Sequence, residues 1–404
     1  MNFISILGKT SLVSILASCI TYLSHFYLAA NAHNTDFGSF TYYQSLMLLF
    51  VNIMPFGSTM AVVIFRFSLS ENEYFKLVNE KIFILMPVVL LVTASFSTFL
   101  SFIHVINVDY DILFSVLTIS FFNSVSLIIM GYYRVTQLFL KYGTLFLIYT
   151  SINSLVLVLS YFHFGDLKSA FYIISLSSML FSSICYYSFV KDVGLPRFFN
   201  DFKKKLILSL SYGAPIVLSS LTMSFLVVGD KLILGNTTPE LLTSYGVAAL
   251  ISSTTLFIVN NFASSWGAFL VRKCSGNDEQ LLKYYRKNLP KLILVIPIGL
   301  TMLFAQYILY FIFYLEKNPN LFSTVAILTS AYLIFGMSKF FMGYMNYLKK
   351  NMAVFFSSLV GVAGVFSTFL LTEGVVGMAL SILTGMVIQL FFCITYTNQL
   401  LKGL

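Results

Sequence analysis

The stretch KDVGLPRFFNDFKKK, residues 191–205, divides the chain in two. It carries Lys191, Arg197, Lys203, Lys204 and Lys205. On either side lie about six apolar stretches, each roughly 20 residues or more and long enough to cross a bilayer. The expected spans before it are 9–30, 39–65, 82–103, 112–133, 142–162 and 168–190. Those after it are 206–230, 242–270, 290–314, 321–347, 352–372 and 375–400. Moving outward from 191–205, Lys and Arg fall almost entirely into alternate connectors. One set holds Lys9; Arg66, Lys76 and Lys81; Arg134 and Lys141; the 191–205 group; Arg272, Lys273, Lys283, Arg286, Lys287 and Lys291; Lys349 and Lys350; and Lys402. The other holds only Lys168, Lys231 and Lys317, with Lys339 inside a span. Cytoplasmic loops retain positive charge, so the first set is read as inside. Both termini are then cytoplasmic, as an even number of spans also requires. The expected fold class is an all-α polytopic membrane protein with about 12 transmembrane helices.

Composition agrees. The 404 residues are 58% hydrophobic and 10% charged, with a mean hydropathy of +0.88. A soluble domain would carry about a quarter charged residues. The net charge of +9 is dispersed over short inner loops rather than gathered on one face. That pattern excludes nucleic acid as a partner and suits anionic lipid headgroups. Cys19, Cys185, Cys274 and Cys393 have neither CxxC nor metal-ligand spacing, so no metal site, cofactor or disulfide framework is expected. The first apolar span is long for a signal peptide and lacks a small-x-small cleavage site, so it is read as retained. The outer connectors are too short for a soluble domain. Whatever the protein does, it does within the membrane.

The two halves repeat. Lys81 is followed six residues on by Pro87, and Lys291 by Pro297. Phe37-Gly38 corresponds to Tyr245-Gly246, Arg66 to Arg272, and Met130-Gly131-Tyr132 to Met342-Gly343-Tyr344, each about 210 residues later. Six spans per copy give both copies the same orientation. The expected domains are therefore two parallel-repeat six-helix lobes, 1–195 and 196–404, enclosing a central cavity that is exposed alternately to the two sides.

Polar residues on helix faces mark where such a cavity would lie. Gly38, Ser45, Asn52, Thr59 and Arg66 recur every seven residues and form one stripe if span two is a single helix. Ser14, Ser18, Thr21 and His25 share a face of span one. Asn123 and Arg134 lie roughly on one face of span four, while span five adds Asn153 and span eight adds Asn260, Asn261 and Ser264. The alternative is plain interhelical hydrogen bonding, which Ser, Thr and Asn commonly provide in membranes. Gly361, Gly364, Gly377 and Gly385 read as close helix packing. Pro55, Pro87, Pro215 and Pro297 interrupt spans and are candidate hinges, Pro55 above all because Gly57 follows it.

Several motifs then carry a resemblance. They are Tyr212-Gly213-Ala214-Pro215, Ser219-Ser220, Gly229-Asp230-Lys231-Leu232-Ile233-Leu234-Gly235, Tyr245-Gly246-Val247-Ala248 and Asn260-Asn261-Phe262-Ala263-Ser264-Ser265-Trp266. Asp36-Phe37-Gly38 and Pro55-Phe56-Gly57 fit in the first half. Together with the span count they make the chain resemble the polysaccharide or O-antigen flippases of the multidrug/oligosaccharidyl-lipid/polysaccharide exporter superfamily. The resemblance implies a non-enzymatic transporter of the bacterial inner membrane. Its cargo would be an undecaprenyl-pyrophosphate-linked oligosaccharide, an O-antigen, lipopolysaccharide or capsule repeat unit, moved to the outer leaflet without ATP. No Walker A sequence is present. Such a pathway also implies a polysaccharide polymerase and a chain-length regulator as partners, and leaves H+ or Na+ open as coupling ion.

An anionic headgroup wants cationic or donor-rich walls. Arg66, Arg134 and Lys339, near the inner ends of their spans, either snorkel to the interface or form a basic ring that receives pyrophosphate. Asn52, Asn123, Asn260 and His25 are the neutral candidates. Asp230-Lys231, near the outer end of span seven, reads as an ion pair or gate. These flippases often carry Arg or Lys well inside the first lobe, and here no charge sits clearly at mid-bilayer. Two rivals remain. A cation-coupled multidrug or metabolite antiporter needs a buried carboxylate, and the first-lobe acids all lie in loops or at span edges. A membrane glycan polymerase needs a sizeable outer loop, which the sequence lacks.

Overall fold

The computed structural model describes residues 3–32, 34–56, 70–103, 106, 108–136, 138–194, 202–274, 278–313, 321–348 and 350–402. Among these the chain is helical, with no strand. Helices run Phe3–Asn31 (α1), Asn34–Ile53 (α2), Glu71–Glu80 (α3), Met86–Phe102 (α4), Tyr110–Val135 (α5), Phe139–Ser151 (α6), Leu157–Phe164 (α7) and Leu167–Val193 (α8). They continue with Phe202–Thr237 (α9), Pro239–Cys274 (α10), Asp278–Asn288 (α11), Val295–Phe313 (α12), Phe322–Tyr347 (α13), Asn351–Phe369 (α14) and Gly374–Lys402 (α15). Ten described segments are long and apolar enough to cross a membrane. Helices α1 and α2 stand where the first two expected spans fall. With hydrocarbon on the outside, each chain segment must satisfy its own backbone, which is why the apolar runs become helices rather than open sheets.

The residues form two compact units. One comprises Gly8–Ser224 with Leu232–Pro239, here the first unit; the other comprises Met1–Leu7, Phe225–Lys231 and Glu240–Leu404, here the second. In the first, α5 is central: 67% of its apolar stretch is buried. Ser120 and Ser124 on α5 donate to the Met47 and Val51 carbonyls of α2, each at 3.3 Å. In the second, Ser252 of α10 donates to the Val325 carbonyl of α13 at 3.1 Å. Small hydroxyl side chains thus let two helices approach and give a spare carbonyl lone pair a donor in both units.

The repeat read from the sequence has a structural counterpart. A short amphipathic helix, α3 or α11, precedes the third span of its set. Phe75 of α3 meets Tyr132 of α5 edge-on at 5.9 Å, and Tyr285 of α11 meets Tyr344 of α13 edge-on at 5.2 Å. Tyr132 and Tyr344 are the tyrosines of the two Met-Gly-Tyr motifs. Such aromatic pairs add to the burial energy of the rings and fix the short helices against the bundle.

Three local features differ from the periodicity. Hydropathy carries span two through residue 65, but α2 ends at Ile53, and Met54–Phe56 form a turn with Phe56 at φ 43°. Pro55 therefore stands at a helix end rather than inside one. Apolar composition continues past this turn, which is why hydropathy alone runs through it. Thr59, Arg66 and Gly57 lie outside the described residues. Secondly, a π-helical turn, Lys81–Leu85, joins α3 to α4 just before Pro87. Proline removes an i→i−4 bond and crowds the preceding carbonyl, and a wider turn accommodates both effects. Thirdly, a second π turn, Ile152–Val156, joins α6 to α7. Pro297 sits in the first turn of α12, behind a 3-10 turn, Leu289–Leu294, whereas Pro215 lies within α9, whose helix is continuous.

The α7–α8 hairpin has its own chemistry. Gly165 at φ 76° ends α7 in the left-handed region, and Asp166 caps α8 by accepting from the Ser169 N–H at 2.7 Å. At the other extreme of scale, α14 and α15 meet backbone to backbone. A Cβ on Gly385 would lie 2.6 Å from the Gly361 carbonyl oxygen. These are the glycines that the spacing marked for packing.

Candidate functional site

Lys339 is a cation within a span that has no counter-ion among the described residues. It lies on α13, 17 residues from Phe322 and eight from Tyr347, so about 26 Å and 12 Å along the helix axis from its two ends. That places it within the hydrocarbon thickness, on the side the basic connectors share. Its Nζ donates to Oδ1 of Asn260 on α10 and stands 4.6 Å from the centre of the Phe335 ring, one turn away on α13. A carbonyl dipole and a π face both stabilise an ammonium group, but neither neutralises it. No carboxylate among the described residues pairs with it. Lys339 is half-buried, and a cation drawn partly out of water without a counter-ion predisposes the site to accept an anion. The structure therefore brings together two of the residues singled out by sequence, Lys339 and Asn260. It adds Phe335, which an apolar stretch cannot advertise.

Asp230 and Lys231 make the opposite kind of site. Asp230 is fully buried on α9. Its Oδ1 accepts from the Lys231 N–H at 2.8 Å and from Lys231 Nζ at 3.1 Å, while Oδ2 accepts from the Tyr245 hydroxyl at 2.6 Å. Lys231 Nζ also donates to the Val227 carbonyl at 3.0 Å, and the Tyr332 hydroxyl of α13 lies near it. The pair is thus saturated and net neutral. It ties α9, α10 and α13 together deep in the second unit. The sequence shows Tyr245 only as part of a motif and gives no sign of Tyr332, because hydroxyls that close a charge pair from other helices leave no local mark.

The first-unit candidates are distributed. Asn52 on α2 donates to the Leu48 carbonyl at 2.9 Å and to Ser224 Oγ at 2.8 Å. Thr21 accepts from Ser154 at 3.0 Å, and Asn153 accepts from Ser178 at 3.3 Å. Both Asn153 and Ser154 belong to the second π turn, which presents them to two different helices. These polar residues join helices. His25 is buried on α1, its ring edge-on to Phe40 at 5.2 Å. Asn123 is buried on α5 and forms no hydrogen bond among the described residues. Arg134 falls on α5, but its side chain lies outside the described residues, as does the whole of Arg66.

Sequence reasoning also missed Gln306. Helix α12 faces outward, with 17% of its apolar stretch buried. Gln306 is its inward anchor: Nε2 donates to Thr254 and Thr255 at 2.9 Å, and Oε1 accepts from Thr329 at 2.5 Å. A lone glutamine in an apolar run was the available signal. Among the described residues no three His, Cys, Asp or Glu side chains come together as a metal site.

Ten apolar spans among the described residues, with charged and polar groups held inside them, define a multi-pass membrane protein. A model of the polysaccharide biosynthesis protein family matches residues 7–266, more than half of the chain, and the chain belongs to that family. No curated protein matches it by sequence. Among solved structures it is similar to an inward-facing multidrug resistance MATE family transporter of the MOP superfamily, with a TM-score of 0.72 at 13% identity over 97% of this chain and 94% of that one. It is similar to lipid II flippase MurJ in an inward closed conformation, with a TM-score of 0.73 at 13% identity over 98% and 87%. It is also similar to an outward-facing multidrug resistance MATE family transporter, with a TM-score of 0.67 at 15% identity over 100% and 97%. At such identities these likenesses concern the fold. With the family match, they place the chain in the multidrug/oligosaccharidyl-lipid/polysaccharide exporter superfamily that its motifs resembled.

Proposed function

We propose that the protein flips an undecaprenyl-pyrophosphate-linked oligosaccharide, an O-antigen or capsule repeat unit, from the cytoplasmic to the periplasmic leaflet of a bacterial inner membrane. Two six-helix lobes, 1–195 and 196–404, with both termini cytoplasmic, would expose the cargo alternately. The observation that carries this reading is the ammonium group of Lys339, held inside a span by Asn260 and Phe335 without a counter-ion. A pyrophosphate supplies the missing charge. Of the three N–H donors on Lys339, Asn260 takes one and the other two are left for phosphate oxygens. The sugar and pyrophosphate cannot cross hydrocarbon without such partners, whereas the lipid tail never needs to leave the bilayer. Lipid II flippase MurJ, which shares the fold, is named for a lipid-linked cargo. The exported unit would pass to a polymerase and a chain-length regulator.

The antiporter reading is favoured by one observation: MATE transporters share the fold. It requires a carboxylate free to exchange H+ or Na+. Among the described residues the buried carboxylates are Asp230, already neutralised by Lys231, and Glu80, at the inner end of its span and itself engaged. The decisive experiment is a deletion strain. Lipid-linked repeat units should accumulate on the cytoplasmic leaflet and surface polysaccharide should disappear, both reversed by the gene in trans. Normal surface glycan together with lost resistance to cationic drugs would instead establish the antiporter.

A further inference from the structure

The repeat places a short amphipathic helix at the same position of each set, and the two helices carry opposite charge. Helix α3 holds Glu71, Glu73 and Glu80 against Lys76, whereas α11 holds Asp278 and Glu279 and then Lys283, Arg286 and Lys287. Their packing differs in the same sense. In α3, Tyr74, Leu77, Val78 and Glu80 are buried, and so is Lys81 just beyond, 2% exposed in the π turn. Tyr74, Val78 and Ile82 belong to the core of the first unit. In α11 one face is sunk. Leu281 and Tyr285 are buried, and the Tyr285 hydroxyl donates to Asn398 Oδ1 of α15 at 2.6 Å. Steps of about 100° per residue set Lys283, Arg286 and Lys287 on the opposite face, where all three are exposed. Among the described residues none of the three forms a hydrogen bond or ion pair.

The helix dipole accounts for part of this pattern. Bases in a last turn answer the partial negative charge there, which suits Arg286 and Lys287. Lys283 stands mid-helix, and Lys291 continues the series past the helix end, exposed in the 3-10 turn Leu289–Leu294. From Leu281 through Lys291 the chain has four bases and no acid. The same short turn exposes Leu289 and Ile293, and Ile296 follows, exposed, in the first turn of α12. Exposed apolar side chains at the start of a span face hydrocarbon, so these cations stand where hydrocarbon gives way to headgroups.

We propose that the exposed basic face of α11, with Lys291 beyond it, is a docking surface for anionic phospholipid of the surrounding bilayer. The cations meet headgroup phosphates, and Leu289, Ile293 and Ile296 lie among the acyl chains. Charge complementarity names the occupant. A phosphodiester headgroup with no amine of its own gains from every cation, whereas a zwitterionic one already carries an ammonium. The surface holds resident lipid and does not rest on the flippase reading. Anionic lipid then seats α11 of the second unit, while α3 of the first is seated by its own apolar core.

The full-length protein in detergent is titrated with phosphatidylglycerol or phosphatidylcholine, and bound lipids are counted by native mass spectrometry. Each basic residue at an anionic surface is worth roughly fivefold. Lys283→Gln, which leaves the last-turn bases in place, should weaken the tightest phosphatidylglycerol about fivefold. The triple substitution Lys283→Gln, Arg286→Gln and Lys287→Gln should weaken it more than about tenfold, with phosphatidylcholine binding and Tm unchanged. Lys76→Gln on α3 should have no effect, and farnesyl pyrophosphate should not displace the bound phosphatidylglycerol. Wild-type phosphatidylglycerol affinity in the Lys283 and triple variants would overturn the assignment. So would an equal loss in Lys76→Gln, which would mark a diffuse surface charge. Displacement by farnesyl pyrophosphate would overturn it too, by giving the face to a different lipid.

Discussion

Lys231 and Lys339 are both lysines of the second unit, set within spans, and their surroundings are opposite. Lys231 is locked to a fully buried aspartate, itself capped by Tyr245. Lys339 has a carbamoyl oxygen and a phenyl face and no acid. The first arrangement is complete, so nothing more can bind without breaking it. The second is a stabilised cation still lacking a charge. Under the proposed function, the pairing of a membrane-embedded lysine separates a structural cation from one that would receive the cargo.

The largest effect should come from breaking the complete pair. Lys231→Met leaves Asp230 buried and uncompensated, which should lower stability by about 3–5 kcal/mol. Thermal unfolding of the purified protein should show a collapse in Tm. The double substitution Asp230→Asn with Lys231→Met should recover most of it. A single substitution with wild-type Tm would remove the contrast between the two lysines.

Helix packing offers a middle-sized test of the same unit. Gly385→Ala places a methyl 2.5 Å from a Val365 methyl and 2.6 Å from the Gly361 oxygen. Overpacking of this kind should cost about 1–3 kcal/mol. Gly131, in the first unit, has open space where its Cβ would go. Gly131→Ala should leave the Tm unchanged or raise it slightly, through the roughly 1 kcal/mol helix-propensity gain of Ala over Gly. Equal losses at the two glycines would refute the packing account.

The smallest effect concerns the α7–α8 hairpin, outside the spans. The Ser169 N–H, with help from Lys168, holds the Asp166 carboxyl below its ordinary range. A depressed carboxylate stabilises the fold above its unfolded value and loses that contribution as pH falls through the lowered one. Asp166→Ala should cost about 1 kcal/mol at neutral pH. The mutant's deficit should vanish in acid. Faster amide exchange at the start of α8 would report it, and a pH-independent deficit would argue against the cap.

Much of the architecture was legible because bilayers impose few solutions. Apolar length gave the spans, and the small residues at Gly361 and Gly385 gave a true backbone contact. The end of α2 was not legible, since Pro55-Phe56 breaks the helix inside an apolar run that hydropathy reads as continuous. Asp230-Lys231 was visible as a pair, but its burial and its two tyrosine partners come from helices distant in sequence. Pattern alone assigns Lys81 to a connector, because charge near a span end ordinarily belongs to the loop. Only the π turn and the surrounding core reveal it as buried. Local pattern thus fixes which segments cross the membrane, whereas the fate of each charge depends on neighbours that only tertiary packing supplies.

The central claim is that Lys339 binds the anionic headgroup of the cargo and contributes little to stability. The direct measurement is farnesyl pyrophosphate binding and thermal unfolding, made together on wild type, Lys339→Met and Lys339→Arg. Removing a half-buried charge that lacks a counter-ion should keep or raise the Tm of Lys339→Met, and its affinity should fall about tenfold or more, with partial retention in Lys339→Arg. Wild-type affinity in a Lys339→Met protein of normal Tm would contradict the account.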